Sequence, residues 1–114
     1  MLLFILALGY GCAEKDKYEE LKVEISLSLQ NMEIYEGEEV YFSGKATGGL
    51  SPYTFSWKFG TGIQPSSLKT PGFITFKFEG AYKVILTVKD SRGITGEDYV
   101  YISVKNKYEL SPKN

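Results

Sequence analysis

The sequence predicts an all-β domain, a sandwich of about seven antiparallel strands in two sheets. Three observations carry that expectation. From Leu21 onward, apolar residues recur at every second position, the period of a strand with one buried face. These runs are interrupted at roughly ten-residue spacing by Gly, Pro, Asn, Asp and Ser, the residues that form turns. No segment shows a helical apolar period.

The elements follow in order. "LKVEISLSL" puts Leu21, Val23, Ile25, Leu27 and Leu29 on one face and Lys22, Glu24, Ser26 and Ser28 on the other. "NMEIYEGEE" reads as a polar link with a short apolar patch at Met32 and Ile34. "EVYFSGKAT" alternates Val40, Phe42, Gly44 and Ala46 against Tyr41, Ser43, Lys45 and Thr47. "GGLSP" is a turn, and "YTFSWKF" sends Tyr53, Phe55, Trp57 and Phe59 to one side. "GTGIQPSSLKTPG" reads as an irregular connection with a short edge strand near Gln64 to Leu68. "FITFKF" turns Ile74, Phe76 and Phe78 inward, and "EGAYKVILTVKD" does the same for Tyr82, Val84, Leu86 and Val88. After the turn "SRGITG", "EDYVYISVK" points Val100, Ile102 and Val104 inward.

Composition narrows the function. A chain of 114 residues holds about one domain, and 43% hydrophobic with 15% aromatic residues is enough for a packed core. Thirteen basic and 14 acidic side chains give a net charge of −1, without the basic patch that a nucleic-acid binder needs. Histidine is absent, which removes Ser-His-Asp and Cys-His catalysis and most zinc sites. A single cysteine, Cys12, allows no internal disulfide. No enzyme activity, cofactor or metal is expected.

The first 13 residues, "MLLFILALGYGCA", carry no charge. Their apolar run, Leu2 to Leu8, is shorter than the roughly 20 residues that span a bilayer and suits the hydrophobic part of a signal peptide. Gly9, Tyr10 and Gly11 before Cys12 resemble a bacterial lipobox, which implies lipid attachment at Cys12. Leu8 stands one place further from the cysteine than the usual lipobox leucine, and the customary basic start is missing. An ordinary secretory signal is the alternative. The expected organisation is a signal or lipobox-like segment at 1–12, a polar tether at 13–20, the sandwich at 21–105 and a flexible tail at 106–114. The expected location is outside the cytoplasm, at the cell surface through a membrane anchor or in the extracellular space.

Two motifs in this order resemble a PKD domain, an immunoglobulin-like β-sandwich of cell-surface and secreted proteins. The first, "SPYTFSWKFGTG", matches a W-D-F-G-D-G signature at Trp57, Phe59, Gly60 and Gly62 and departs from it at Lys58 and Thr61, where aspartates are usual. The second matches G-x-Y-x-V-x-L-x-V-x-D-x-x-G at Gly80, Tyr82, Val84, Leu86, Val88, Asp90 and Gly93. The resemblance covers roughly residues 21 to 105. It places Trp57 in the sandwich interior, where an immunoglobulin domain has its inter-sheet disulfide; Phe42 and Val84 hold the corresponding inward positions here. Tyr82 stands where a tyrosine corner would bond nearby backbone. Gly60 and Gly62 let the chain turn with positive φ. Asp90 before "SRG" reads as a cap for the turn amides, favoured over a calcium set with Glu97 and Asp98 because Thr61 stands where the family has an acid. Glu38 and Glu39 have no partner acid for glycosidase-like chemistry, and neither "GGLSP" nor "GTG" has the lysine of a phosphate loop.

One surface suggests function. On the sheet formed by "YTFSWKF", "EGAYKVILTVKD" and "EDYVYISVK", Thr54, Ser56, Lys58, Lys83, Ile85, Thr87, Lys89, Tyr99, Tyr101 and Ser103 point outward. Ile85, Tyr99 and Tyr101 with Lys58 form a candidate binding face for a protein or carbohydrate of the cell envelope or extracellular space. The alternative is that the tyrosines only stabilise the sheet through cross-strand pairs. The resemblance implies contacts with proteins or carbohydrates, or a spacer role. Only nine residues follow Lys105, which favours a non-catalytic binding module over a spacer before a catalytic domain. A structural or assembly component of a surface layer or filament is the second reading.

Overall fold

Alternating side chains and frequent turns fold into seven strands, β1 (Lys22–Leu27), β2 (Glu33–Tyr35), β3 (Glu38–Thr47), β4 (Thr54–Lys58), β5 (Gly72–Phe76), β6 (Gly80–Lys89) and β7 (Thr95–Lys105). A one-turn 3-10 helix, Lys107–Leu110, follows β7. The computed structural model describes residues 18–110. The strands form two facing sheets, one in the order β1-β3-β5 and the other in the order β2-β7-β6-β4. None of the described helices is long and apolar enough to cross a membrane.

The period of two in the sequence becomes the division between core and surface. Val40, Phe42, Trp57, Phe76, Val84, Leu86 and Val88 are fully buried, and Phe59, Ile102 and Val104 nearly so. Phe42 of β3 holds the two sheets together. Its ring lies 5.7 Å from Trp57, 5.2 Å from Phe59 and 6.3 Å from Phe76. Trp57 and Phe59 lie nearly parallel, at 7° and 5.7 Å. These contacts occupy the place of an inter-sheet disulfide. The buried indole keeps its polar handle satisfied: Trp57 Nε1 donates to the Leu68 carbonyl at 2.9 Å. Tyr82 makes the tyrosine corner, its hydroxyl donating to the Phe78 carbonyl at 2.7 Å. Its ring meets Phe76 edge-on at 5.1 Å and fills the space beside Gly60. Gly60 has a φ of 113°, and a Cβ there would stand 2.9 Å from the Tyr82 ring, so both the turn and the packing exclude a side chain.

Four details differ from the sequence reading. The patch around Ile34 is a strand, and it runs parallel to β7, unlike the antiparallel pairs elsewhere. Ile34 inserts into the core at 4% exposure, while Ser103 N donates to the Met32 carbonyl and Glu36 N to the Lys105 carbonyl on either side. Phe78 is not inward: β5 ends at Phe76, and Phe78 is 71% exposed in the turn to β6. The tyrosine corner explains this, because Tyr82 occupies the interior and draws the Phe78 carbonyl toward it. The edge strand near Gln64 to Leu68 is reduced to one bridge, Trp57 to Ser66. Lastly, residues assigned to the tether and tail take part in the structure. Gly49 N donates to the Glu19 carbonyl at 2.8 Å, Tyr18 lies against Arg92, and the chain after β7 forms the 3-10 turn.

Trp57→Ala should lower the unfolding free energy by about 3–5 kcal/mol, the usual range for truncating a large core aromatic. Tyr82→Phe, which keeps the ring and removes the corner bond, should cost about 1 kcal/mol. Urea unfolding followed by tryptophan fluorescence measures the second; circular dichroism measures the first.

Candidate functional site

The candidate face is the outer surface of the four-stranded sheet, and its geometry follows from strand register. Lys58 of β4 stands opposite Ile85 of β6, and Ile85 opposite Tyr99 of β7, so the three form one row across the sheet. The next row pairs Lys83 with Tyr101, and on the other side Ser56, Thr87 and Glu97 align. Sequence alternation alone put these residues on one face; the register makes them neighbours.

Tyr99 and Tyr101 are 51% and 59% exposed. Their rings meet edge to face at 5.7 Å and 77°. The Lys83 ammonium lies 4.5 Å from the Tyr99 ring centre and 5.7 Å from that of Tyr101. A cation over an aromatic face is held by the ring quadrupole, worth about 0.5–1 kcal/mol at an exposed site. The side chains therefore hold one another in place before any partner arrives. Ile85 is half-buried between the tyrosines and Lys58 and forms an apolar floor. The cluster offers two phenolic hydroxyls, ring edges, an apolar centre and two ammonium groups. Lys83 was not singled out as part of the candidate site in the sequence, although its outward position was legible; its place beside both rings depends on the β6–β7 register.

The other sequence motifs have structural roles. Trp57 and Phe59 are interior, Gly60 and Gly62 form the turn after β4, and Gly80 opens β6. Cys12 lies outside the described residues. Asp98 and Glu97 do not join Asp90. Asp98 accepts from the Ile25 amide at 2.9 Å and from the Tyr99 amide, while Glu97 points outward on the sheet. Among the described residues, no group of three or more acidic, cysteine or histidine side chains is placed to hold a metal.

Asp90 is the anchor of the β6–β7 hairpin. Its carboxylate is enclosed and accepts from the amides of Arg92, Ile94 and Leu50 at 2.8, 3.1 and 3.2 Å. The Arg92 guanidinium donates to it through Nη2 at 2.7 Å and Nε at 3.0 Å, and also faces the Tyr18 ring at 4.8 Å. Gly49 lies against this carboxylate, where an added Cβ would come within 2.8 Å of Oδ2. Burial pushes the Asp90 pKa up, but the Arg92 side chain and the amides of Arg92, Ile94 and Leu50 outweigh it and bring the pKa down to about 2. A carboxylate with a lowered pKa stabilises the fold above its ordinary value of 3.8, and the contribution is lost as pH falls through about 2. Asp90→Asn should lower the thermal midpoint at neutral pH and flatten the fall in stability between pH 3.8 and about 2. Thermal unfolding across that pH range distinguishes the two proteins.

The comparisons with known proteins bear on the fold. The PKD domain family model matches residues 25–104. No curated protein matches the sequence significantly. Among solved structures, the PKD1 domain of the Vibrio cholerae metalloprotease PrtV is 25% identical with a TM-score of 0.59, over 74% of this chain and 95% of that one. The PKD1 domain of Vibrio anguillarum Epp is 23% identical with a TM-score of 0.61, over 79% of this chain and 99% of that one. A chain described as belonging to carbohydrate-binding modules of the β-sandwich superfamily is 24% identical with a TM-score of 0.64, over 77% of this chain and 35% of that one. This protein thus spans about a third of the carbohydrate-binding chain and nearly the whole of either Vibrio domain. With the family model covering both β-sheets and most of the sequence, the chain belongs to the PKD domain family.

Proposed function

We propose that this PKD domain is a non-catalytic binding module that presents Lys58, Lys83, Ile85, Tyr99 and Tyr101 to a protein or carbohydrate partner outside the cytoplasm. The observation that carries the reading is the Lys83–Tyr99–Tyr101 cluster, an exposed aromatic pair already ordered by a cation. Two-torsion side chains such as tyrosine lose little entropy on binding, and neighbours that already order them reduce that loss further. The apolar floor at Ile85 supplies contact area, and the lysines and phenols give polar recognition around it. The fold shared with a chain of carbohydrate-binding modules is consistent with a sugar partner, and the mixed apolar and cationic surface suits a protein partner equally.

Tyr99→Ala together with Tyr101→Ala should abolish retention on either isolated envelope polysaccharide or the envelope protein fraction, whichever the native domain binds. Each aromatic anchor at the centre of an interface contributes roughly 2 kcal/mol or more, about thirtyfold in affinity. The far-UV circular dichroism of the variant should be unchanged, because both rings lie outside the core. Undiminished retention by the double variant would remove this face from the reading.

We further infer that Cys12 carries a lipid and that the domain stands on a membrane surface through the residues before Tyr18. The small residues preceding Cys12 and the apolar run before them support this. Mass spectrometry of the membrane fraction should find the mature chain beginning at Cys12 and heavier than its polypeptide by a diacylglyceryl group. A lipid-free N-terminus would sink the anchor while leaving the binding face untouched.

A further inference from the structure

Between the turn after β4 and the outer side of β5 lies a cavity of about 200 Å³. Thr61, Ile63 and Gln64 of the turn form one wall. Thr75 of β5, with Lys77 and Phe78 just beyond the strand, forms the other. The nearly buried Tyr82 closes the inner side.

Both walls carry polar groups that the fold does not use. Among the described residues, the side chains of Thr61, Gln64, Thr75 and Lys77 make no hydrogen bond and no ion pair. The Thr75 backbone adds a donor and an acceptor. Tyr41 of β3 uses its carbonyl and amide toward β1, accepting from Ser28 N at 3.1 Å and donating to Ser28 Oγ at 3.0 Å. In this register, strand alternation turns the N–H and C=O of Thr75 away from β3, to the side on which the cavity lies. All four residues are exposed, so these groups stay hydrated until a ligand replaces their water.

The rest of the lining is apolar. Phe78 presents a ring that is 71% exposed, beside half-buried Ile63 and the Tyr82 ring. Lys77 is the one charged residue among the described residues of the lining. Thr61 keeps that balance. An aspartate, usual at this position of the W-D-F-G-D-G motif, would set a carboxylate on the wall facing Lys77.

We infer that this cavity is a carbohydrate subsite for one acidic pyranose, a uronic acid unit of a polysaccharide. Its volume falls below the roughly 300–1,000 Å³ of sites for drug-sized ligands and suits a single six-membered ring. A pyranose has hydroxyls around its rim and C–H groups on its faces. It therefore pairs the hydroxyl, amide and backbone groups of the walls while laying a C–H face against Phe78. Its carboxylate takes the Lys77 ammonium in a charge-assisted bond, which selects it over a neutral sugar. A bare anion such as acetate would leave the apolar lining without contact. The subsite shares no residue with the face of Lys58, Lys83, Ile85, Tyr99 and Tyr101, so it stands whether or not that face binds a partner.

The test uses the full chain in a Cys12→Ser background and proton–nitrogen correlation NMR. The probes are the methyl glycosides of glucuronic and galacturonic acid, the neutral glucoside and galactoside, and sodium acetate. At least one uronoside should move the amide signals of Thr61, Gly62, Gln64 and Thr75 saturably in the millimolar range. Lys77→Met and, separately, Thr61→Asp should each weaken this binding about tenfold, the loss expected when a charge-assisted bond is removed or opposed. Phe78→Ala should weaken it as well. All three positions are exposed, so the variants should keep the signal dispersion of the folded domain. The Tyr99→Ala, Tyr101→Ala protein should bind the uronoside unchanged. The proposal is overturned if neither uronoside shifts these amides saturably, or if a neutral sugar or acetate does so equally. Shifts that persist in both Lys77→Met and Thr61→Asp also overturn it. Shifts lost in the double tyrosine variant would place the sugar on the other face, against this site.

Discussion

The contact on which this sandwich depends is the one between Phe42 and Trp57. Two sheets facing each other must be held by something that reaches across, and this chain has no second cysteine to do so covalently. Phe42 reaches from the three-stranded sheet to Trp57 and Phe59 on the side of the four-stranded one, and also touches Phe76 on its own sheet. Phe76 passes the contact to Tyr82, whose hydroxyl fixes the β5–β6 turn. One chain of rings therefore sets the sheet spacing, the position of β5 and the entry of β6. The strands that bear the outer tyrosines inherit their register from the same core, because β6 pairs with β7 along its whole length.

Much of this was legible in the sequence because a strand with one buried face has the simplest of periods. Val40 and Phe42, Phe55 and Trp57, and the run Tyr82, Val84, Leu86 and Val88 could be assigned to the interior from alternation alone, and all are buried. The PKD resemblance placed Tyr82 at a corner, and its bond to Phe78 is the expected one. What could not be read depends on partners distant in the chain. β2 contributes only one inward residue, Ile34, and a single apolar position has no period; its parallel pairing with β7 is a tertiary fact. Tyr41 and Phe73 each read as outward, but only the β3–β5 register makes them a pair. Phe78 obeyed the alternation of "FITFKF" on paper and escapes it because the chain leaves the strand to form the corner. Lys83 joins the tyrosines for the same kind of reason: its partners lie on β7.

The two outer faces divide the exposed aromatics between them. Tyr99 and Tyr101 lie on the outer face of β7, which pairs with β6 along the length of that strand. Tyr41 and Phe73 form an edge-on pair on the outer face of the three-stranded sheet.

The distribution of charge separates framework from surface. Carboxylates at the turns and edges are spent on backbone amides: Asp90 on Arg92, Ile94 and Leu50, Asp98 on Ile25 and Tyr99, Glu38 on Tyr35, and Glu36 on Glu79. Each removes an amide that would otherwise be unpaired, which is a framework role. Lys58 and Lys83 stand on the sheet surface, with Lys83 held by aromatic rings. This is why the replacement of two family aspartates by Lys58 and Thr61 matters. At Lys58 the chain places a cation at the end of the Ile85–Tyr99 row, where the family pattern would have put an anion. In the proposed binding role, this row would offer apolar and phenolic surface between ammonium groups, a pattern that favours electron-rich partner groups over cationic ones.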